Sequence, residues 1–361
     1  MKFGLIGLGG YGQFLLDVIN ETPNATISAL STRNPDKATE ILKKFDIKNC
    51  YSNWHDLVKD KEIEAVIIAT PPYLHFEMAK KALTSGKHVL IEKPIALNVI
   101  DAKKLIKIAE NKKLRLVVDH ELRYNFILNN IKKAFETDLL GNLTNITFTN
   151  FASDENLPRD HWFWDKKKSG GIFIEHACHF FDVYSYLFGD SDVKFSTRQI
   201  RTDGAEDKVF AVTRYKNGAE ASFLHSFDRP YALEQTVTRL TFKRANFVIE
   251  GWIPIKFIAQ AIVSDTELKN LKEIFPMAYF SLPKDRTNYH GGGQDYPDHH
   301  FVEFKLDLGD KQENYKKLVK ELLNDFIKSI QDKNFKPLTE AKNVLPGLSL
   351  ACSSSKKAKL L

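Results

Sequence analysis

One short run, GGIFIEHACHFFD from Gly170 to Asp182, places four ionisable side chains among apolar residues. If the run is helical, Glu175, His179 and Asp182 follow one another at i, i+4 and i+7 and share one face. His176 is then turned about 100° away from Glu175. Because burying an unpaired charge costs free energy, such a face must be solvated, paired or functional. The alternative to a functional face is a core helix whose polar groups satisfy one another.

A glycine-rich turn follows the first predicted strand. The strand runs directly into GLGGYG. In a dinucleotide-binding fold the first glycine makes a tight turn, the second lets the backbone approach the pyrophosphate, and the third lets the helix pack on the strand. The position between a strand and a helix favours dinucleotide binding over a structural turn. The cofactor-binding residues predicted here are Gly7, Gly9, Gly10, Tyr11 and Gly12.

The end of the second predicted strand bears on the choice of cofactor. Enzymes that use NAD place an Asp or Glu there, about 20 residues after the glycines. This chain has Ser31, Thr32 and Arg33 instead, which offer two hydroxyls and one guanidinium to a 2′-phosphate and no carboxylate to repel it. The sequence therefore favours NADP(H). NAD(H) is the alternative if Arg33 stacks on adenine or faces solvent.

Two further stretches, ATPPYLH and IEKPIA, follow strands of the same predicted sheet. Ligands of open α/β sheets collect beyond the carboxyl ends of the strands, so both stretches are expected at a cofactor cleft. The positive ring of an oxidised nicotinamide would lower the pKa of Lys93, which would suit it to proton transfer or to hydrogen bonding a reacting hydroxyl. A surface lysine is the alternative. The cofactor-binding residues predicted here are Thr70, Pro71, Pro72, His75, Glu92 and Lys93.

These residues need a scaffold, and the first third of the chain alternates short apolar runs such as EAVIIAT with amphipathic ones such as PYLHFEMAKKALTSG. This alternation predicts an α/β fold, with a doubly wound Rossmann dinucleotide-binding domain over residues 1–120. From 121 to 340, strand-like runs joined by turn signals such as Asn217-Gly218 predict an α+β domain with an open, largely antiparallel sheet. Residues 341–361 are a tail without a predicted element.

Composition argues against several other classes of protein. The 361 residues are 43% hydrophobic and 27% charged, which suits two globular domains. The net charge of +6 comes from lysines scattered among nearly as many acids, so no nucleic-acid partner is expected. The three cysteines are far apart and form no CxxC pattern, which argues against a disulfide framework or a cysteine-type zinc site. No run reaches the ~18 apolar residues of a membrane span and no signal peptide is predicted, so a cytoplasmic location without a membrane partner is expected.

Taken together, the motifs resemble one family of enzymes. GLGGYG, ATPPYLHFEMAKKAL, GKHVLIEKPIA, the pair Arg123-Tyr124 and GGIFIEHACHFFD are similar in order and spacing to the Gfo/Idh/MocA family of NAD(P)-dependent oxidoreductases. The similarity extends from residue 1 to about residue 190. It implies a Rossmann domain, an open-faced antiparallel sheet and a site in the cleft between them. It also implies an oligomer, either a homodimer or a homotetramer.

The resemblance assigns roles to individual residues. The family's lysine falls on Lys93, and its proline, often in a cis peptide, falls on Pro94. The histidine and last aspartate of its helix motif fall on His179 and Asp182. The first aspartate of that motif is Glu175 here, and the glycine two positions after it is Ala177. Glutamate keeps the carboxylate but reaches further.

The reaction implied is reversible oxidation of a secondary alcohol on a sugar or cyclitol. His179 would take the hydroxyl proton, Lys93 would polarise the oxygen, Glu175 would orient Lys93 or His179, and hydride would pass to the nicotinamide. The HWFWD run is expected to form a wall of the substrate site. The substrate-binding residues predicted are Arg123, Tyr124, Trp162, Trp164, Asp165, His176 and Asp182, with Asp119, His120 and Lys168 as weaker candidates.

Three other functions compete with this prediction. A glycosidase that uses a tightly bound cofactor for transient oxidation would use the same residues. A cofactor-sensing regulator can dispense with Lys93 and His179, which are present. A zinc hydrolase built on Glu175, His176, His179 and the stretch His290–His300 would leave GLGGYG without a role. The glycines and proline of that stretch predict a flexible loop without regular ligand spacing, at the substrate pocket or a subunit contact, and no metal is predicted.

Overall fold

The computed structural model describes the backbone of residues 1–361 and every side chain except that of Lys37. The chain divides into two compact units. The first consists of residues 1–121, 160–182 and 316–352, and the second of residues 122–159, 183–315 and 353–361. Each unit is therefore assembled from three separate segments of the chain. Among the described residues, no helix combines the length and the apolar character that crossing a bilayer requires.

Eleven α-helices and seventeen strands are assigned within the described chain. The helices are α1 (Gly10–Asn20), α2 (Thr39–Lys44), α3 (Trp54–Lys59), α4 (His75–Thr84), α5 (Val99–Lys112), α6 (Phe126–Glu136), α7 (Lys166–Ser169), α8 (Cys178–Phe188), α9 (Asp265–Ile274), α10 (Lys311–Gln331) and α11 (Leu345–Lys357). The strands are β1 (Lys2–Ile6), β2 (Thr26–Ser31), β3 (Asn49–Tyr51), β4 (Ala65–Ile68), β5 (His88–Glu92), β6 (Leu116–Asp119), β7 (Leu143–Ser153), β8 (Ser191–Ile200), β9 (Glu206–Tyr215), β10 (Glu220–Arg229), β11 (Gln235–Phe242), β12 (Ala245–Glu250), β13 (Lys256–Val263), β14 (Tyr279–Ser281), β15 (Thr287–Gly291), β16 (Gln294–Asp307) and β17 (Lys359–Leu360).

The first unit contains a six-stranded parallel sheet in the order β3-β2-β1-β4-β5-β6. Every residue of β4 and β6 is buried, as expected for strands of a parallel sheet that is covered on both faces. The strand order reverses between β1 and β4, which is where doubly wound folds bind their ligands. The structure confirms the predicted Rossmann sheet.

The carboxyl ends of these strands lead directly into the predicted motifs. β1 ends just before Gly7, β2 ends at Ser31, and β4 ends two residues before Thr70. β5 ends at Glu92 and β6 at Asp119. Because all six strands are parallel, these ends share one edge of the sheet.

The last segment of the first unit returns to this sheet at β6. The backbone N–H of Val118 donates to the carbonyl of Thr339, and that of Ala341 donates to the carbonyl of Leu116. These bonds extend the β6 edge by a segment from far along the chain. Residues 345–357 then form α11, whereas the sequence has no predicted element in this tail. The run LPGLSLACSSSKK lacks the regular apolar spacing that identifies a helix.

The second unit contains a mixed, largely antiparallel sheet in the order β14-β16-β13-β12-β11-β7-β10-β9-β8-β17, with β15 paired to β16. The pairs β10 with β7 and β17 with β8 are parallel. Buried and exposed residues alternate along β13, so one face of that strand is packed and the other is accessible. Phe247, Phe257, Phe275 and Phe304 pack together with ring centroids 5.4 to 6.1 Å apart. The predicted open, largely antiparallel sheet is confirmed.

The stretch His290–His300 belongs to a hairpin, so the prediction of a flexible loop is wrong. Gly291 pairs with Gln294, which leaves Gly292 and Gly293 as a two-residue turn with φ values of 61° and 75°. Tight hairpin turns of this kind need positive φ at both central positions, and glycine meets that need without strain. The Gly-Gly pair is therefore a strand-reversal signal.

Candidate active site

The glycine-rich turn between β1 and α1 serves two different purposes. A Cβ on Gly7, whose φ is 105°, would lie 2.2 Å from the carbonyl oxygen of Ala69, and a Cβ on Gly12 would lie 2.2 Å from the carbonyl oxygen of Gly7. Gly7 and Gly12 are thus required for strand and helix to pack. A Cβ on Gly9 or Gly10 would meet no protein atom within 4 Å. Because Gly9 and Gly10 have no side chains, the backbone surface at the amino terminus of α1 is open to a ligand.

This surface has the properties of a pyrophosphate site. The first turn of α1 contains no acidic residue, and no side chain caps its amino terminus. The backbone N–H groups and the positive end of the helix dipole are therefore available to an anion. The turn and helix fit the phosphates of a nicotinamide dinucleotide, which would supply a hydride donor or acceptor when bound.

A cleft of about 850 Å³ runs along this edge of the sheet in the first unit. Every predicted cofactor-binding residue except His75 lines it. The lining also includes Glu175 and Trp162, so the predicted lysine, one predicted carboxylate and one predicted aromatic residue share this cleft with the glycine-rich turn. The roles of these residues stay predictions. Clefts of this size and mixed lining are typical of ligand sites.

The β2 end of the cleft is lined by Ser31, Thr32 and Arg33, as predicted from the sequence, and also by Ser52 and Trp54. The last two were missed by sequence reasoning. The signal for them lies in β3, which pairs with β2 and carries Ser52 just beyond its carboxyl end. Among the described lining residues, the only carboxylates are Glu92 and Glu175.

His75 lies behind the cleft. It is fully buried, with Nδ1 2.6 Å from the carbonyl oxygen of Pro94 and Nε2 2.6 Å from that of Thr70. Burial lowers the pKa of His75 to about 4, although both carbonyls favour the protonated ring. The ring thus ties the loop after β4 to the loop after β5, where the Lys93-Pro94 peptide bond is cis, as in the family pattern.

Lys93 is held by one residue through two bonds. Its Nζ donates to the Oε1 and to the backbone oxygen of Glu175, each at 2.9 Å, and the two side chains are 15% and 12% exposed. Burial lowers the pKa of Lys93, but the carboxylates of Glu175 and Glu92 outweigh it, so the pKa is raised above its ordinary value. Lys93 is therefore a charged hydrogen-bond donor. The lowered pKa predicted from the sequence requires the charge of an oxidised nicotinamide beside it.

The helix that carries Glu175 and His179 begins differently from the prediction. Residues Phe173–Ala177 form a π-helical turn, and the α-helix starts only at Cys178. Because a π turn holds more residues than an α turn, residues four apart across it no longer stack on one face. Glu175 contacts Lys93, whereas His179 contacts a different carboxylate. The single shared face predicted for an α-helix is thus divided in two.

The carboxylate that faces His179 belongs to Glu121. The Nε2 of His179 lies 3.0 Å from the Oε1 of Glu121, and the two side chains are 7% and 3% exposed. Sequence reasoning did not select Glu121. The available signal was its place two residues after Asp119, at the carboxyl end of β6, an edge where functional residues gather.

Two more polar pairs lie near these residues. The Nδ1 of His120 is 3.5 Å from the Oδ2 of Asp182, which is fully buried, and the rings of His120 and His179 are 5.9 Å apart. The hydroxyl of Tyr11 donates to the Oδ2 of Asp119. Burial, reinforced by the charge of Glu121, raises the pKa of Asp119 to about 7.

The HWFWD run is partly at the cleft and partly structural. Trp162 and His161 line the cleft, while the ring of Trp164 packs edge-on against Phe163 at 4.9 Å. Asp165 caps α7 by accepting a hydrogen bond from the Lys167 backbone N–H at 2.9 Å. The carboxylate of Asp165 also lies 3.5 Å from the Nζ of Lys168.

The remaining predicted substrate residues lie in different surroundings. The ring of His176 packs on Phe180 at 5.4 Å, and burial, followed by the charge of Lys93, lowers its pKa well below the ordinary value. Arg123 and Tyr124 belong to the second unit. The guanidinium of Arg123 lies 5.0 Å from the ring centroid of Tyr186. Among the described residues, no group of three or more His, Cys, Asp or Glu is placed to hold a metal ion.

Two curated relatives cover parts of the chain. An uncharacterized oxidoreductase of Synechocystis sp. is 32% identical over 183 residues, which are 50% of this chain and 49% of that protein. A myo-inositol 2-dehydrogenase of Thermotoga maritima is 26% identical over 244 residues, which are 66% of this chain and 72% of that protein. The chain thus spans about half the length of the first relative and just over two thirds of the second.

Solved structures share the fold over almost the whole chain. KijD10, a 3-ketoreductase from Actinomadura kijaniata in complex with NADP and TDP-benzene, has a TM-score of 0.78 at 14% identity, covering 100% of this chain and 98% of that chain. The WlbA dehydrogenase from Bordetella pertussis, in complex with NADH and UDP-GlcNAcA, has a TM-score of 0.75 at 19% identity, covering 99% and 95%. At these identities the likeness shows the fold alone.

Two family matches account for most of the chain. Residues 1–120 match the description "Oxidoreductase family, NAD-binding Rossmann fold". Residues 128–244 match the description "GFO/IDH/MocA C-terminal domain". They occur in the order that the sequence motifs predict, and the first contains the glycine-rich turn and Lys93. The chain belongs to the Gfo/Idh/MocA family of NAD(P)-binding oxidoreductases.

Proposed function

We propose that the protein catalyses reversible hydride transfer between a nicotinamide cofactor and a secondary alcohol or ketone of a sugar, sugar derivative or cyclitol. The observation that carries this proposal is the position of Lys93. Its charged Nζ is anchored by Glu175 and lies in the same cleft as the open helix terminus at Gly9. A cation in this place can stabilise an oxygen that becomes negative during the reaction.

The residues divide the work as follows. NAD(P), when bound, would supply the hydride donor or acceptor. In the oxidative direction, Lys93 donates a hydrogen bond to the reacting hydroxyl and stabilises the developing alkoxide. His179 accepts the hydroxyl proton as general base, and Glu175 keeps Lys93 in place. In the reductive direction, the same proton returns from His179 to the oxygen of the carbonyl.

We favour NADP(H) over NAD(H) as the cofactor. Ser31, Thr32 and Arg33 line the β2 end of the cleft, and the two carboxylates of the lining come from other elements, Glu92 from β5 and Glu175 from the π turn. A 2′-phosphate would therefore meet a guanidinium and hydroxyls without a repelling charge nearby. KijD10 was solved with NADP and WlbA with NADH, so the fold itself accommodates either cofactor.

The proposed substrate class rests on the cleft and on the relatives. Trp162 presents an aromatic surface in the lining, which suits the apolar face of a sugar or cyclitol ring, and His161 offers a polar contact beside it. One of the relatives is a myo-inositol 2-dehydrogenase. Three further points remain predictions from the sequence. They are the homodimeric or homotetrameric state, the absence of nucleic-acid and membrane partners, and the cytoplasmic location.

The proposal is tested by a cofactor-reduction assay. Wild type is given NADP⁺ or NAD⁺ with a panel of aldoses, sugar acids, amino sugars and inositols, and absorbance at the wavelength of the reduced nicotinamide is followed. We expect turnover with at least one member, stronger with NADP⁺. The Lys93→Ala variant should lose at least roughly 100-fold in kcat, because it lacks the donor at the reacting oxygen.

Lys107→Ala is the matched control, since Lys107 is an exposed lysine on α5. It should keep wild-type activity. Equal activity of Lys93→Ala and wild type would contradict the proposed role of Lys93. If the protein cleaves glycosides without net cofactor reduction, the glycosidase alternative replaces the dehydrogenase.

A further inference from the structure

We infer that Glu121 is the positioning residue of His179 in the proton transfer described above, and that Glu175 serves Lys93 alone. The inference rests on the proposed function. The site then contains two separate pairs, the charged donor Lys93 with Glu175 and the general base His179 with Glu121. Nothing in the motif that carries His179 indicates Glu121, which lies 58 residues earlier in the chain.

Glu175 is already engaged by Lys93. Its Oε1 and its backbone oxygen both accept from Lys93 Nζ at 2.9 Å. The π-helical turn at Phe173–Ala177 removes the α-helical stacking that would bring Glu175 over His179. The Glu175 carboxylate is therefore directed to Lys93 and not to His179.

The other nearby carboxylates also have partners of their own. Asp119 accepts from Tyr11, and Asp182 lies against His120 at 3.5 Å. Glu121 is only 2% exposed, and the atom that it directs at His179 is 3.0 Å from Nε2. Each of the three carboxylates thus faces a different side chain, and the one that faces His179 is Glu121.

The burial of the Glu121 carboxylate has an energetic consequence. A buried carboxylate is costly unless a donor or a cation compensates it, and the Oε1 of Glu121 forms no aligned hydrogen bond with any described residue. Hydrogen bonds in unliganded catalytic sites are often poorly aligned and tighten during the reaction. When His179 takes up a proton, the charged ring gains a carboxylate at contact distance. Glu121 would therefore both orient the ring and stabilise its charged form.

The kinetic test uses Glu121→Gln and Glu121→Asp, with Glu110→Gln as control because Glu110 is an exposed acid on α5. With the best substrate of the panel, Glu121→Gln should lower kcat roughly 100-fold, as expected for a misplaced catalytic group, and leave KM within about twofold. Glu121→Asp should recover part of the loss. Glu110→Gln should match wild type.

A double-mutant cycle separates positioning from general destabilisation. If Glu121 acts through His179, adding Glu121→Gln to His179→Ala should lower kcat by less than about twofold further. Glu175→Gln, which acts on Lys93, should still lower the kcat of His179→Ala by roughly tenfold or more. A Glu121→Gln effect of the same size with and without His179 would overturn the inference. Should Glu121→Gln fail to fold, Glu121→Asp carries the same cycle.

A spectroscopic readout is independent of any substrate. In protein labelled with ¹⁵N-histidine, the ring resonances of His179 are assigned by their loss in His179→Gln. Glu121→Gln should shift them, while Glu110→Gln should not, and those of His75, which is bonded to two backbone carbonyls, should remain in place. Unshifted His179 resonances in Glu121→Gln would overturn the inference. Absence of cofactor reduction by wild type would instead count against the proposed function.

Discussion

At the scale of single residues, the chemistry of the site depends on which charge each side chain faces. Lys93 is largely shielded from solvent and still has a raised pKa, because Glu175 and Glu92 are close to it. Glu92 responds in the opposite sense, since burial raises its pKa well above the usual value despite Lys93. Lys93 is thus a charged donor, whereas its neighbour Glu92 favours the neutral, protonated carboxyl.

Arg33 is the residue on which the cofactor preference rests. Replacing it by alanine removes the guanidinium proposed to bind the 2′-phosphate. We expect Arg33→Ala to weaken NADPH binding about tenfold, which corresponds to ~1.4 kcal/mol, and to change NADH binding by less than about twofold. Fluorescence titration with both nucleotides measures the two constants. Arg239→Ala, an exposed arginine on β11, is the control. If Arg33→Ala weakened the binding of NADPH and NADH equally, Arg33 would contact a part of the cofactor that both nucleotides share.

The sequence identified individual site residues where a local motif marks them. Lys93 follows a strand and precedes a proline, and Gly9 lies in a glycine-rich turn, so the sequence selects both, and both line the cleft. Ser52 and Trp54 were missed because their position depends on the pairing of β3 with β2, and a single sequence does not state the strand order. Glu121 was missed because its contact with His179 joins residues that are far apart in the chain. The role of Asp165 as a helix cap was also missed, because the helix that it caps has only four residues and no recognisable apolar periodicity.

At the scale of elements, the junction of β1 and α1 offers a matched pair of substitutions. Gly12→Ala places a Cβ 2.2 Å from a backbone oxygen, so the free energy of unfolding should fall by about 1–3 kcal/mol. Gly9→Ala meets no protein atom within 4 Å and should leave the melting temperature nearly unchanged. It should nevertheless weaken NADPH binding at least about tenfold, because the methyl group occupies the approach of the pyrophosphate.

Thermal melts and nucleotide titrations of both variants check this pair. Undiminished NADPH binding by Gly9→Ala would show that the dinucleotide does not approach this turn. A stable Gly12→Ala protein with wild-type affinity would contradict the packing role of the third glycine.

Two elements departed from the patterns in the sequence for identifiable reasons. A π turn has no distinctive residue spacing, so the run from Gly170 to Asp182 indicates an ordinary helix until Glu175 and Lys93 are seen together. The stretch His290–His300 was interpreted through its glycines as flexible, although a Gly-Gly pair also suits a tight hairpin turn. The alternating elements of the first third were recoverable because their apolar periodicity is strong.

At the scale of the whole molecule, both predicted sheets are present, but the chain distributes them in interleaved segments. Residues 160–182 and 316–352 join the first unit, which holds the parallel sheet. Such returns cannot be read from local periodicity, because they depend on contacts such as those of Thr339 and Ala341 with β6. This arrangement brings Glu175, from the middle of the chain, to Lys93 at the end of β5.

The central claim is that hydride passes between a substrate carbon and the nicotinamide under the control of this cleft. The most direct measurement uses the best substrate of the panel, deuterated at the reacting carbinol carbon, with NADP⁺ and wild-type protein. Mass spectrometry should find deuterium in the released NADPH and none at that carbon of the ketone product. Released cofactor without deuterium, or a cleaved glycoside that retains the label on its own carbon, would contradict the account.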